Sequence, residues 1–398
     1  MDSAVIRLYS RNNSPLGIFK ISPPFIVSVS IHTDLPVPLR KNRVLIADRF
    51  PRTKDVNSWK LILLRKKSSN GSFERPENVW ELAPELDYLD EGDVIKVTPN
   101  QNKIHVLFRR KATSNAFLVT ERCNSYCVMC SQPPKKGDDN YLVEDILESL
   151  PLISSDTKEI GLTGGEPTLL GPDFFKLIRS VKQHLPNTSL HVLSNGRKFD
   201  DITFAHQLSE IHHPDLMIGI PLYADYSQLH DFIVQADNAF DDTLRGILNL
   251  KAFRQKVEIR VVILRQNYAR LPKIAEFIVR NLLFVDHVAL MGMELMGFAK
   301  SNLEALWIDP DDYRNELEEA VRVLDWYGIH VSIYNLPLCL INEGVRHFAV
   351  KSISDWKNEY MPECTGCLRI QDCCGFFSSS CLRNSSHIAP IRNVTLQG

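Results

Sequence analysis

From residue 116 onward, short apolar segments alternate with amphipathic stretches of helical length, and this alternation constrains the fold more than any other feature. Each strand of such a series must return through a crossover, so the strands should be parallel and share one sheet. Residues 113–300 therefore predict an α/β fold, a partial (β/α)6 barrel with functional residues on loops at the carboxyl ends of its strands. The predicted strands are 116–120, 159–163, 190–194, 216–220, 257–264 and 287–291, and the predicted helices are 141–150, 174–185, 202–211, 243–253, 272–283 and 310–327.

Two further regions flank the predicted barrel. In residues 1–112, short apolar pieces alternate with turn-forming residues, which predicts a β-rich domain without a catalytic motif. Residues 301–398 contain a helix, a strand at 329–334 and a tail that carries six of the nine cysteines. A chain of 398 residues is long enough for these three domains.

Composition and charge exclude several classes of protein. A net charge of −2 argues against a nucleic acid partner, because binding to a phosphate backbone rests on accumulated Lys and Arg. No segment approaches the roughly 18 apolar residues that span a bilayer, and the N-terminus lacks the pattern of a signal peptide. We therefore expect a cytoplasmic protein without a membrane partner, in which reduced cysteines serve metal binding or catalysis rather than disulfides.

Three cysteines directly follow the first predicted strand. Cys123, Cys127 and Cys130 form a C-x3-C-x2-C array on one loop. A fully protein-ligated 4Fe–4S cluster uses four cysteines, so three thiolates would leave one iron open. An open metal position is one that a ligand can occupy. The alternative is a zinc ion that is completed by a distant fourth ligand.

Polar residues also follow the next strands of the predicted barrel. The carboxyl ends of parallel strands meet at one rim, so these residues should face the cysteine loop. Two glycines after the second strand would let the backbone approach a ligand closely, and the glutamate beside them could accept from an ammonium group. The residues concerned are Gly164, Gly165 and Glu166 after the second strand, Ser194 and Asn195 after the third, and Asn267 after the fifth.

Together, the cysteine spacing and the strand-end motifs resemble the radical S-adenosylmethionine (SAM) superfamily. The resemblance implies that the three cysteines hold a 4Fe–4S cluster whose open iron chelates SAM. It also implies that an electron from a donor such as flavodoxin or ferredoxin cleaves SAM to methionine and a 5′-deoxyadenosyl radical. Glu166 and its two glycines would bind the methionine amine, Ser194 and Asn195 the carboxylate and ribose, and Asn267 would lie at a comparable place. Met129 stands where the family usually has an aromatic residue near the adenine, and its thioether can pack on a π-face.

A second group of cysteines lies in the C-terminal region. The four thiolates of Cys339, Cys364, Cys367 and Cys373 could close a second 4Fe–4S cluster, or hold a structural zinc ion instead. Either Cys374 or Cys381 could replace one of these ligands. The array resembles the auxiliary-cluster modules, of SPASM or twitch type, in peptide-modifying radical SAM enzymes.

The amino-acid sequences of four segments point to a more specific resemblance than the superfamily motifs do. LVTERCNSYCVMCSQPPK, GLTGGEPTLL, NLPLCL and PECTGCLRIQDCCGFF resemble the HxsC-type maturases of the bacterial His-Xaa-Ser system. This implies maturation of a ribosomally made peptide with His-x-Ser repeats, beside a second radical SAM maturase encoded nearby. The N-terminal domain is then the candidate for peptide recognition. The alternatives are radical chemistry on RNA or a small metabolite, and a non-enzymatic iron–sulfur or zinc scaffold.

Overall fold

The structure, a computed structural model, describes residues 9–10, 13–15, 23–51, 56–65, 78–351 and 359–392. These residues form an eight-stranded and a seven-stranded sheet. The N-terminal sheet consists of β1 (Tyr9–Ser10), β2 (Ser14–Pro15), β3 (Phe25–Ser30), β4 (Arg43–Ala47), β5 (Leu61–Leu64), β6 (Val79–Glu81), β7 (Val94–Thr98) and β8 (Lys103–Phe108), with the short helix α1 (Val37–Arg40) after β3.

The two ends of the N-terminal sheet come together. Its strand order is β1-β8-β7-β3-β4-β5-β6-β2, and yet only three residues separate β1 from β2. Asn13, within this connection, bonds to both ends of the sheet: Nδ2 donates to Asn102 O (3.1 Å) and Oδ1 accepts from Ala83 N (3.1 Å). The sheet therefore curls into a small barrel. Its five longest strands match the short apolar pieces of the sequence at 25–30, 43–46, 59–64, 93–97 and 104–110, whereas β1, β2 and β6, of two or three residues each, were not predicted.

The second sheet contains seven parallel strands in chain order, which confirms the predicted parallel α/β fold. They are β9 (Asn115–Thr120), β10 (Glu159–Gly164), β11 (Ser189–Leu193), β12 (Leu216–Pro221), β13 (Lys256–Val262), β14 (His287–Met291) and β15 (Val331–Tyr334). The seventh strand, β15, was predicted as a separate strand of the C-terminal region, but it pairs in parallel with β14. It thereby extends the predicted six-stranded barrel by one strand.

Helices surround this sheet. They are α2 (Tyr141–Ser149), α3 (Pro172–His184), α4 (Ile202–Ser209), α5 (Ser227–Val234), α6 (Ala239–Ala252), α7 (Leu271–Asn281), α8 (Gly297–Ser301), α9 (Leu303–Leu306) and α10 (Arg314–Trp326). Most of them cover the outer face of the sheet, whereas α5, α8 and α9 pack in a separate cluster with Met129 and Tyr223. Alternate strand residues pack beneath the covering helices in the main core; in β13 these are Val257, Ile259 and Val261. The residues between them, Glu258 and Arg260, therefore point to the interior of the barrel.

The cysteine-rich tail has little regular structure. Its described part, residues 359–392, contains single-turn helices and one isolated bridge between Glu359 and Phe376. Among all described residues, no helix is both long enough and apolar enough to cross a membrane.

Candidate active site

The loop of Cys123, Cys127 and Cys130 leaves the carboxyl end of β9 and is held by two neighbouring segments. Tyr126 N and Val128 N donate to the carbonyls at the end of α5, at 3.0 and 2.9 Å. On the other side, Asn302 Nδ2 donates to Val128 O at 2.8 Å, and the backbone N–H of Phe298 donates to Cys130 O at 2.8 Å. These hydrogen bonds hold the cysteine loop against α5 on one side and against the segment of Phe298 and Asn302 on the other.

Gly297 allows the last of these contacts. It lies at the start of α8 with φ +55°, in the left-handed region that favours glycine. A Cβ here would lie 2.5 Å from Cys130 O and 2.6 Å from Ser131 O. No motif in the sequence indicated this residue.

Gly164 and Gly165 pack against the strand that carries the cysteine loop. A Cβ on Gly164 would lie 2.4 Å from Thr120 O, and a Cβ on Gly165 would lie 2.1 Å from Arg122 O. The backbone N–H of Gly165 donates to Thr120 O at 2.8 Å, and that of Glu166 donates to Arg122 O at 2.7 Å. The two glycines therefore leave room for the backbone that leads into the cysteine loop. They also line the cavity described below.

Glu166 is fully buried and binds groups of the protein itself. Its Oε1 accepts from Thr168 N (3.0 Å), Thr168 Oγ1 (2.7 Å) and Ser194 Oγ (2.8 Å), and its Oε2 accepts from Asn195 N (2.6 Å). Burial raises the pKa of this carboxyl, and the four hydrogen bonds act in the opposite direction. The carboxylate thus connects the end of β10 to the end of β11.

A cavity of about 450 Å³ opens at this rim. That volume lies within the usual range for ligand pockets. Eight of the predicted residues line it: Cys123, Cys127, Met129, Cys130, Gly164, Gly165, Ser194 and Asn195. Sequence reasoning did not single out Tyr223, Arg260, Met291 and Tyr334, which complete its walls together with Glu294 and others.

Two predicted residues lie away from the cavity lining. Glu166 lies behind the wall, as described above, and Asn267 is fully buried in the turn after β13. The side chain of Asn267 accepts from Leu264 N (2.7 Å) and donates to Tyr223 O (3.1 Å) and Val262 O (3.0 Å). In this structure it stabilises the turn and supports the backbone of Tyr223, which lines the cavity.

A buried polar cluster extends from the cavity into the barrel. Arg260 Nη1 donates to Glu258 Oε1 at 2.5 Å, and His287 Nδ1 lies 2.7 Å from Glu258 Oε2. His191 Nε2 lies 3.4 Å from the same carboxylate. Burial alone would raise the pKa of Glu258, but the two histidines and Arg260 outweigh it and hold this pKa well below its usual range. Arg260 thus lies in the cavity wall as a cation whose position is fixed by a buried carboxylate.

The three thiols of the cysteine loop are protonated in the absence of a metal. Burial raises the pKa of Cys123 to about 11 and that of Cys127 to about 12, and it also raises that of Cys130. A metal centre must displace these protons, since only thiolates are metal ligands. Because all three thiols share one cavity wall, the arrangement fits a cluster with three protein ligands.

The four predicted auxiliary thiols are also brought together. Cys339 interacts electrostatically with Cys364 and Cys373, and Cys364 interacts with Cys367 and Cys373. Hydrogen bonds reach two of the sulfurs: Leu338 N and Gly375 N donate to Cys373 Sγ, and Ile391 N donates to Cys367 Sγ, each at 3.4 Å.

The remaining tail cysteines differ in position. Cys374 is buried against Cys373, and the hydrogen bond between their side chains is the main reason why the pKa of Cys373 falls to about 6. Cys381 is exposed. Within the described residues, no group of three or more His, Cys, Asp or Glu side chains is placed to hold a metal ion.

The fold and the site together define the class of this protein: a parallel α/β barrel carries three thiols on the loop after its first strand. Residues 117–278 match the family model described as the radical SAM superfamily. The chain therefore contains a radical SAM domain, and that superfamily consists of enzymes that use SAM and a 4Fe–4S cluster.

Similar proteins cover parts of the chain. A curated protein named "Probable GTP 3′,8-cyclase" from Methanothermobacter marburgensis is 26% identical over 103 residues, which are 25% of this chain and 33% of that protein. SuiB of Streptococcus suis, bound to S-adenosylmethionine, matches with TM-score 0.46 and 14% identity over 57% of this chain and 51% of SuiB. The structure of anSMEcpe with bound AdoMet and Kp18Cys peptide matches with TM-score 0.49 and 15% identity, over 70% of this chain and 93% of that one. The chain thus spans about half of SuiB and a third of the cyclase.

Proposed function

We propose that this chain is a radical SAM maturase that modifies a ribosomally made peptide with His-x-Ser repeats. One observation carries the radical SAM assignment: the thiols of Cys123, Cys127 and Cys130 line the same cavity as the two glycines of one predicted SAM-binding motif and the polar pair Ser194 and Asn195 of the other. The chemistry that a 4Fe–4S cluster supplies on these thiols is one electron for cleaving SAM to methionine and a 5′-deoxyadenosyl radical.

The cavity supplies polar groups for the carboxylate and ribose of SAM and an apolar wall for its adenine. Ser194 and Asn195 line it at the end of β11 and are oriented by the buried Glu166. Met129 is 6% exposed and packs beside Tyr223, so a thioether and a phenol ring form an apolar wall where a base could stack. In this proposal Glu166 acts through Ser194 and Asn195 rather than by direct contact with SAM.

The second cysteine group is proposed to hold an auxiliary 4Fe–4S cluster on Cys339, Cys364, Cys367 and Cys373. The resemblance of this four-cysteine array to the auxiliary-cluster modules of peptide-modifying radical SAM enzymes supports the cluster over a structural zinc ion.

The proposal of a peptide substrate rests on the four sequence segments that resemble HxsC-type maturases. Abstraction of a hydrogen atom suits unactivated C–H bonds, and a peptide rich in His and Ser offers them beside nucleophiles that can capture the oxidised carbon. An auxiliary cluster would supply an acceptor for the remaining electron. A second maturase and a flavodoxin or ferredoxin are proposed as partners.

The radical SAM assignment is tested with a Cys127→Ala variant. After anaerobic reconstitution and with dithionite as reductant, the wild-type protein should release 5′-deoxyadenosine. The variant should not, because the cluster loses one of its three protein ligands. Tyr126→Phe is the matched control, since Tyr126 is an exposed neighbour on the same loop. If Cys127→Ala releases 5′-deoxyadenosine at the wild-type rate, the radical SAM assignment is overturned.

The substrate is tested separately by mass spectrometry. The His-x-Ser peptide is co-expressed with its second maturase, in the presence and absence of this protein. We expect the peptide to lose pairs of hydrogen atoms, as in a crosslink, only when this protein is present. An unmodified peptide with an active enzyme would leave the radical SAM assignment intact and remove the substrate.

A further inference from the structure

The cavity at the rim of the barrel has two sides. All seven strands contribute to its wall, from Cys123 after β9 to Tyr334 at the end of β15. The three cysteines and the polar residues proposed for SAM follow β9, β10 and β11, at one end of the strand order. Residues of β13, β14 and β15 form the other side, which we name the β13–β15 wall. In the proposed function, this wall is the side that faces the substrate.

The β13–β15 wall contains one cation. Arg260 is the only lysine or arginine in the described lining of the cavity, and its side chain is 19% exposed, so a ligand in the cavity can reach it. The only carboxylate in that lining, Glu294, follows the end of β14, whereas Arg260 lies in register with Ala289 within that strand. Arg260 therefore lies deeper in the barrel than Glu294, and the deep part of the wall is the cationic part.

Contacts inside the barrel fix the guanidinium of Arg260 without using all of its donors. Nη1 donates to Glu258 Oε1 at 2.5 Å, and Nη2 donates to Met291 Sδ at 3.3 Å. Of the five N–H donors of a guanidinium, three therefore remain, and the described residues offer them no acceptor. Gly219 makes room for the stem of this side chain, because a Cβ there would lie 3.1 Å from Arg260 Cδ.

The carboxylate beneath Arg260 is shared by basic side chains of three strands. Glu258 is buried, and His287 Nδ1 lies 2.7 Å from its Oε2. His191 Nε2 lies 3.4 Å from its Oε1, the same oxygen that accepts from Arg260. Glu258 thus orients the guanidinium without being its exclusive partner. A carboxylate in the cavity would supply acceptors for the remaining donors, since the planar fork of an arginine matches the two oxygens of that group.

We propose that Arg260 binds a carboxylate of the substrate on the β13–β15 wall. The ligand class is a peptide that carries an aspartate or glutamate side chain, or its own C-terminal carboxylate, close to the residue that is modified. This inference rests on the proposed function for the identity of the substrate as a peptide. The carboxylate of SAM is a second source of the same chemical group, and independent measurements of SAM and peptide affinity separate the two.

Matched peptides test the site on the full-length protein, reconstituted anaerobically and saturated with SAM. One pair is acetyl-His-Gly-Ser-Glu-amide and acetyl-His-Gly-Ser-Gln-amide, and a second pair carries the glutamate or glutamine before the histidine. In at least one pair, calorimetry should give the glutamate peptide a roughly 10- to 150-fold higher affinity, the range for a hydrogen bond to a charged group. Equal affinities within both pairs, or no binding of either glutamate peptide, would overturn the proposal.

Two variants test the residue itself. Arg260→Lys keeps a positive charge beside Glu258 but lacks the planar fork, so it should reduce the preference for the glutamate peptide. The double variant Arg260→Gln/Glu258→Gln replaces the ion pair by two neutral side chains and should abolish the preference. Cooperative thermal unfolding checks that each variant is folded, and SAM affinity should stay at the wild-type value in both.

Arg270→Gln is the matched control. Arg270 also pairs with a carboxylate after β13, with its Nε donating to Asp225 Oδ1 at 2.7 Å, but it does not line the cavity. This variant should keep the preference for the glutamate peptide. If the Arg260 variants lose SAM affinity and keep that preference, the carboxylate belongs to SAM and the proposal is overturned.

The proposed function and the Arg260 site can fail separately. A precursor peptide that the double variant modifies as fully as the wild-type protein would leave the proposed function standing and remove the site. A preference for the glutamate peptides that depends on Arg260, together with a His-x-Ser precursor that stays unmodified, would keep the site and remove that substrate.

Discussion

Replacing Gly165 by alanine should disturb the cysteine loop before it affects SAM. The added Cβ would lie 2.1 Å from Arg122 O, whereas Cβ atoms essentially never approach other atoms within 3.0 Å. The Arg122 carbonyl must therefore move by about 0.9 Å. This residue directly precedes Cys123, so the shift is transmitted to a proposed cluster ligand.

The size of the effect follows from the contacts that are lost. Overpacking of a close contact costs about 1–3 kcal/mol. The bonds from Gly165 N to Thr120 O and from Glu166 N to Arg122 O would lengthen, and each contributes about 0.5–1.5 kcal/mol. The sum is a destabilisation of about 2–6 kcal/mol at this junction. We expect a lower thermal midpoint and less iron per chain after anaerobic reconstitution.

Gly344→Ala is the control for Gly165→Ala. A Cβ at Gly344 would meet only the ends of the Arg322 and Glu318 side chains, which can move aside. That variant should keep its iron and its thermal midpoint. If Gly165→Ala also keeps both and loses only SAM affinity in calorimetry, Gly165 serves ligand approach, and the packing argument is refuted.

Three further variants test other parts of the structure. Glu166→Gln replaces one acceptor oxygen by an NH2 group, and we expect a loss of about 1.5–3 kcal/mol, with a lower thermal midpoint and weaker SAM binding together; weaker binding at an unchanged midpoint would indicate direct contact with SAM. Cys364→Ala/Cys367→Ala should lower the iron content from about eight to about four per chain, whereas one zinc and four irons in the unmodified protein would establish a structural zinc site. Glu258→Ala leaves Arg260 unpaired inside the barrel and should destabilise the protein by about 3–5 kcal/mol in thermal unfolding; an unchanged midpoint would show that the ion pair contributes nothing net.

Periodicity predicted the parallel barrel because it reports which residues face a core. Each predicted strand from 116–120 to 287–291 overlaps an observed strand, and most ends differ by one or two residues. Helix α5 (Ser227–Val234) was not predicted. This helix matters for the site, because its last carbonyls hold the cysteine loop.

The role of a residue within the site was harder to predict than its presence at the rim. The GGEP and LSNG motifs predicted that Glu166 and Ser194 lie near the cysteines, because both follow strands of one parallel sheet. Whether the carboxylate faces a ligand or a neighbouring strand depends on how the two strand ends pack, which the local sequence does not encode. Arg260 could have been found: it alternates with Glu258 among the apolar residues of β13, which places both on the interior face of the barrel.

The cysteine-rich tail lies beside the cavity that contains the first three cysteines. Cys374 lines a cavity of about 70 Å³ between the tail and the barrel. This cavity and the one that contains the first cysteines share Gly292, Met293 and Asn335 in their walls. Gly292 and Asn335 directly follow β14 and β15, so the second cysteine group lies beside the rim of the barrel although it is more than 200 residues away in sequence. A purely structural metal would stabilise the tail equally well at any distance from the rim. In the proposed function, this shared wall would bring an auxiliary centre on the tail thiols close to a substrate in the main cavity, where it could accept an electron from the oxidised carbon.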